Sequence, residues 1–145
     1  MPCRRTSARP RGAGLWSNAG SYCPDVSPAH NKSESVVRAL DALDRGDEPD
    51  RADLRDAVRA LLGELARRVP GRSVEVRIPP FGAIQCVEGP RHTRGTPPNV
   101  VETDPMTWLL VATGRLSWGD AVDSGRIRAS GIRTDLTPYL PVHQG

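Results

Sequence analysis

The most polar concentration in the patterned part of the chain is the segment Gly89–Pro98, GPRHTRGTPP. There Arg91, His92, Thr93, Arg94 and Thr96 stand between the stiffening pairs Gly89-Pro90 and Pro97-Pro98. Arginine offers planar, bidentate hydrogen bonds to a carboxylate or phosphate and threonine adds a hydroxyl. Arg91, His92 and Arg94 are therefore the candidates for holding an anion, such as the head group of a fatty acid or a phosphate of an acyl-CoA. The same residues also fit a solvated loop, or one whose arginines pair internally with Glu88, Glu102 and Asp104. Cys86 and His92 are the residue types of a thiolate–imidazole pair, but nucleophilic catalysis further needs an orienting group and an oxyanion site. Cys86 falls beside Ile84 on the apolar face of a predicted strand, where a cysteine is a buried, inert residue. Glu102 and Asp104 bracket Thr103, and a helix-capping role explains Asp104 more simply than a metal does. His30, His92 and His143 lack metal-ligand spacing, and Cys3, Cys23 and Cys86 form neither a disulfide framework nor a zinc pattern. No glycine-rich phosphate loop or G-x-S-x-G elbow is present. The residue inventory assigns no catalytic group, metal or cofactor, and the expectation is a protein that is not an enzyme.

The elements around that loop are legible from periodicity. The stretch Asp104–Gly131, DPMTWLLVATGRLSWGDAVDSGRIRASG, reads as helix, turn, helix, turn, strand. Asp104 caps the first helix, Pro105 takes its first position and Gly114 stops it. Ser117 caps a second helix carrying Trp118, Ala121 and Val122, which Gly125 ends. Ile127 and Ala129 then alternate with Arg126 and Arg128, as on a strand with one buried face. Upstream, Ser33 is a cap for a helix with Val36, Leu40 and Leu43 on one stripe and Gly46 at its end. A longer helix runs from about Arg51 to Val69, with Leu54, Val58, Leu61, Leu62, Leu65 and Val69 at helical spacing and acidic and basic residues at the ends that suit its dipole. Strands are predicted at Val74–Ile78, Gly82–Glu88 and Asn99–Thr103. A closing helix is predicted near Thr134–Leu140, returning Leu136, Tyr139 and Leu140 to the core. Helices and strands in this order indicate α+β, one sheet with helices on one side.

Charge narrows the partners. The chain of 145 residues carries +3. Residues 1–32 hold Arg4, Arg5, Arg9, Arg11 and Lys32 against Asp25, leaving 15 basic and 16 acidic residues for the remainder. The excess belongs to the tail, so the folded part lacks the basic face that tracks phosphates, and no nucleic-acid partner is expected. Residues 1–32 read as a disordered, basic, Pro- and Gly-rich tail, or an artefact of the gene start, with 33–145 as the domain. No apolar run is long enough for an integral membrane segment, no secretory signal is evident, and the cysteine usage suits a reducing cytoplasm.

Two segments, PGRSVEVRIPPFGAIQCVEGPRHTRGTPPNVVETDP from Pro70 to Pro105 and TWLLVATGRLSWGDAVDSGRIRASG from Thr107 to Gly131, carry a resemblance. The run from about Ala39 to Leu140 resembles the actinobacterial branch of the sterol carrier protein type two-like family. The resemblance implies a twisted, mainly antiparallel sheet of about five strands, covered by helices over an apolar cavity that takes fatty acyl chains, sterols or similar lipids. On that footing Trp108 and Trp118 floor the cavity, with Leu116, Val122, Ile84, Ile127 and Leu136 as further lining. The alternative for the two tryptophans is that they simply fill a core. Only six residues of the chain are aromatic, and a domain so poor in large rings is hard to pack at an interior density of ~0.74. The expected function is non-enzymatic carriage of a lipid or other hydrophobic small molecule. The alternative is an interaction or accessory module with a closed cavity, parted from a larger enzyme resembling the mycothiol-dependent isomerases. Oligomeric state is left open.

Overall fold

A run of apolar residues at helical spacing folds only where its ends are satisfied, and three of the helices here start on a capping side chain. The computed structural model describes residues 28–90, 95 and 98–143, with side chains in the first helix from Glu34 onward. Helix α1 spans Pro28–Asp44. It begins upstream of Ser33, which therefore lies within the helix and does not cap it. Helix α2 spans Arg51–Arg68, and Asp50 caps it by accepting from the Ala52 amide at 2.9 Å. Strands β1 (Val74–Ile78), β2 (Gly82–Cys86) and β3 (Val100–Thr103) follow, then helices α3 (Pro105–Ala112) and α4 (Trp118–Asp123), and strand β4 (Ile127–Ser130). The predicted closing helix is a single 3-10 turn, Thr137–Tyr139. Pro138 and Pro141 leave too few free amides there for an α-helical ladder.

The strands form one sheet in the order β2-β1-β3-β4. β1 and β2 are an antiparallel hairpin with Val74 opposite Cys86 and Val76 opposite Ile84. β1 and β3 run parallel, Val76 opposite Val101, and β3 and β4 antiparallel, Thr103 opposite Ile127. All four strands read from alternation are present among the described residues, one fewer than the family resemblance implied. The parallel pair is possible because the chain between β1 and β3 passes through β2 and the Gly89–Pro98 segment before returning.

The register separates the two faces of the sheet. Val74, Val76, Ile78, Val101 and Ile127 are buried on the inner side, beneath the helices. Glu75 and Arg77 pair on the outer side, as do Glu102 and Arg128 at 3.6 Å. From α2, Ala57, Val58, Leu61, Leu62 and Leu65 are all buried against this layer. A fully buried side chain of this size contributes roughly 1.5–3 kcal/mol, so α2 is the principal cover of the β1–β2 hairpin. Its Arg51 guanidinium lies 5.4 Å from the Phe81 ring centroid, and Arg59 donates to the Phe81 carbonyl at 3.0 Å. These contacts hold the hairpin turn to the helix. Ala129 departs from expectation: it occupies the inner-face register opposite Val101 but is exposed, because the cover over β4 ends at Ile127. The described residues from 32 onward make up one compact unit.

Candidate functional site

The two Trp-bearing helices are placed by short-range chemistry. Asp104 accepts from the Thr107 amide at 2.9 Å and from the Thr107 hydroxyl at 2.6 Å. Partial desolvation pushes the Asp104 carboxyl up, but the Thr107 side-chain and backbone hydrogen bonds together outweigh it and hold the group below the usual carboxylate range. Pro105 follows at the first helical position, so its missing amide removes no hydrogen bond. At the other end Gly114 has φ +80°, which lets the Arg115 amide reach back to the Leu110 carbonyl at 2.8 Å. Ser117 then caps α4 through the Asp120 amide. Arg115 binds Asp44 with two hydrogen bonds of 2.5 and 3.1 Å, linking the α3–α4 turn to the end of α1. Thr103 donates to the Arg126 carbonyl at 2.6 Å, tying the end of β3 to the start of β4.

Seen from the interior, α3 is buried along most of its length: Thr107, Trp108, Leu109, Val111 and Ala112 are all inside. Trp108, Val111 and Ala112 lie at i, i+3 and i+4 and so share one face. The seven residues predicted to line a cavity belong to one apolar cluster. Trp108, Trp118, Ile127 and Leu136 are buried in it, and Ile84, Leu116 and Val122 pack against it while partly exposed. Val142 completes the cluster from a segment where no periodic signal marked it; its amide bonds the Ala112 carbonyl at 2.9 Å. The candidate anion holders Arg91, His92 and Arg94 lie outside the described residues.

The polar groups of this interior are matched almost without exception. Asn99, buried where β3 begins, donates to the Ser73 carbonyl at 2.8 Å and accepts from the Arg133 amide at 3.1 Å. Ser73 donates to the Val87 carbonyl at 2.7 Å, and Thr134 to the Gly131 carbonyl at 3.2 Å. Among the described residues a single buried side-chain nitrogen or oxygen has no partner, the indole Nε1 of Trp108, on a residue of 0% exposure. An unmatched buried donor costs about 1–3 kcal/mol. Asn99 and this indole nitrogen are the features sequence reading missed. Asn99 follows Pro98 as an ordinary strand start, and only tertiary neighbours distinguish a satisfied indole from an unsatisfied one.

Cys86 is fully buried, and burial pushes its thiol up to about 11. It is protonated at neutral pH and unsuited to act as a nucleophile. No group of three or more His, Cys, Asp or Glu with the arrangement of a metal site occurs among the described residues. Among the described residues two surface clefts stand out, and charged side chains dominate both. One of about 610 Å³ lies between α1 and α2, lined by Arg38, Asp41, Arg45, Asp47, Glu48 and others. One of about 370 Å³ lies at the β3–α3 junction, lined by Pro79, Glu102, Thr103, Asp104, Gly125, Arg126 and Arg128. Neither is an apolar pocket, and neither is lined by Trp108 or Trp118. No helix among the described residues is long and apolar enough to cross a membrane.

A family profile described as bacterial SCP ortholog, SCP denoting sterol carrier protein, matches residues 50–142, from the cap of α2 through Val142. No curated protein matches the chain at a significant level.

Proposed function

The chain belongs to the bacterial sterol carrier protein ortholog family, and from that premise we propose that it binds and carries a lipid or other hydrophobic small molecule without catalysing a reaction. Family membership over residues 50–142 is the observation that carries this reading. The proposed site is the apolar layer between the sheet and helices α3 and α4, with Trp108, Trp118, Leu116, Val122, Ile84, Ile127 and Leu136 as its lining. Affinity would come from apolar surface removed from water, at ~25 cal/mol per Å² before the costs of association. Because α3 is buried along most of its length, a ligand enters where the cover is thinnest. The proposed entry is at α4, only six residues long, where Val122 on the helix and Leu116 just before it are partly exposed. Arg91, His92 and Arg94 are the proposed contacts for an acidic head group outside the apolar layer. The proposed setting is the cytoplasm, with the hydrophobic molecule as partner and no nucleic acid.

Titration with cis-parinaric acid, a fluorescent fatty acid, tests the reading. Saturable binding accompanied by a change in tryptophan emission supports it. Titration to the probe's solubility limit with neither signal refutes it.

A further inference from the structure

Among the described residues the Trp108 indole N–H is the one buried side-chain donor or acceptor without a partner. Thr107, the adjacent residue, is equally buried, yet its hydroxyl reaches Asp104 at 2.6 Å. Thr103, Asn99, Ser73 and Thr134 likewise find backbone partners. Buried indole N–H groups ordinarily find a partner too, and a buried donor that does not calls for an explanation in terms of function, water or strain. The donor belongs to α3, in the apolar cluster that also holds the proposed lining, and it is buried away from water. A ligand that brings its own acceptor would satisfy it without help from the protein.

We propose that Trp108 Nε1 donates a hydrogen bond to a neutral carbonyl oxygen, of ketone or ester type, on the hydrophobic ligand. The proposal rests on the carrier reading and narrows its ligand class. A neutral acceptor fits better than a carboxylate. One indole donor leaves a carboxylate's other lone pairs and its charge unsolvated, and the apolar side chains of the cluster that holds Trp108 cannot compensate that charge. A carbonyl oxygen loses far less on leaving water and is largely repaid by one good donor. The group would fix how far the ligand slides along the apolar layer, since dispersion contacts alone have no direction.

The test pairs undecane with 2-undecanone on the full chain and on Trp108→Phe, which keeps an aromatic ring but has no donor. Headspace partitioning reads both affinities, and the ketone-to-alkane ratio in each protein cancels their different solubilities. The expected result is a fall of about tenfold in that ratio in Trp108→Phe, equivalent to about 1.4 kcal/mol. In the full chain labelled with ¹⁵N, the Trp108 indole proton is expected to move downfield with the ketone and not with the alkane. An unchanged ratio, with undecane still bound, overturns the carbonyl assignment and leaves the carrier reading standing. Failure of both molecules to bind overturns both. Should Trp108→Phe not fold, the indole resonance decides: equal response to the two molecules, or none, refutes the proposal, as does an indole proton that stays bonded to a buried water in the presence of ketone.

Discussion

Replacing Asn99 with alanine should destabilise the fold by about 2–4 kcal/mol, because that one side chain joins three segments. Its amide donates to Ser73 just before β1, its oxygen accepts from Arg133 beyond β4, and its own backbone leads into β3. Ser73 is buried, so its carbonyl would lose a partner that water cannot readily replace, a penalty of about 1–3 kcal/mol. Arg133 is exposed, and its amide would be partly rescued by solvent, which puts that bond nearer ~0.5–1.5 kcal/mol. For a domain of this size the total corresponds to a fall of roughly 8–16 °C in Tm at about 4 °C per kcal/mol. Urea unfolding followed by far-UV circular dichroism gives the free energy directly. Gln85→Ala, which removes an exposed contact with Arg72, is the control and should stay within about 0.5 kcal/mol. Asn99→Asp keeps the acceptor for Arg133 but sets a carboxylate against the Ser73 carbonyl. Its loss should match or exceed that of alanine at neutral pH and shrink in acid, where the protonated group can donate. Gly131→Ala disturbs the same junction from the other side. A Cβ there would lie 2.3 Å from the Pro98 carbonyl oxygen and 2.4 Å from Asn99 Oδ1, at φ +115°. If Asn99→Ala costs no more than the Gln85 control, the junction does not hold the strands and the reasoning is wrong.

The remaining predictions concern the cap and the thiol. Asp104→Ala should cost about 1–2 kcal/mol at pH 7 through loss of the α3 cap. The folded Asp104 carboxyl lies below its ordinary value, so its contribution is present above the unfolded value of about 3.9 and is lost as pH falls through the folded one. The difference between wild type and variant should therefore narrow below about pH 4, and urea titrations at pH 7 and pH 3 check this. Cys86 should resist a thiol reagent at pH 8 in the folded state of a Cys3→Ser, Cys23→Ser variant and react fully in urea, because burial pushes its thiol up to about 11. Rapid labelling of the folded variant would show that β2 opens readily.

Local devices were readable residue by residue. Asp104 and Ser117 cap the helices assigned to them, and Gly114 and Gly125 sit at positive φ where those helices stop. Each of these depends on atoms within a few residues, which is why sequence alone sufficed. Expectations missed where the outcome depended on distant neighbours or on competing local signals. Ser33 reads as a cap, but the helix continues upstream of it to Pro28. Thr134–Leu140 has helical spacing, but its prolines admit only one 3-10 turn. Ala129 alternates correctly and is still exposed, since alternation fixes the face of a strand and not whether anything covers it.

The sequence by itself determined the kinds of element, their order, the α+β class and the family, because periodicity, caps and turn residues are written in short stretches of chain. Tertiary structure alone decided that β1 pairs with β3 in parallel, that Asn99 bridges a carbonyl and an amide 26 and 34 residues away, and that the Trp108 donor finds no acceptor among the described residues. Those facts depend on which groups meet in three dimensions. A hydrogen bond of 3 Å is a property of a pair, and the residue type of one member does not reveal whether the other is there.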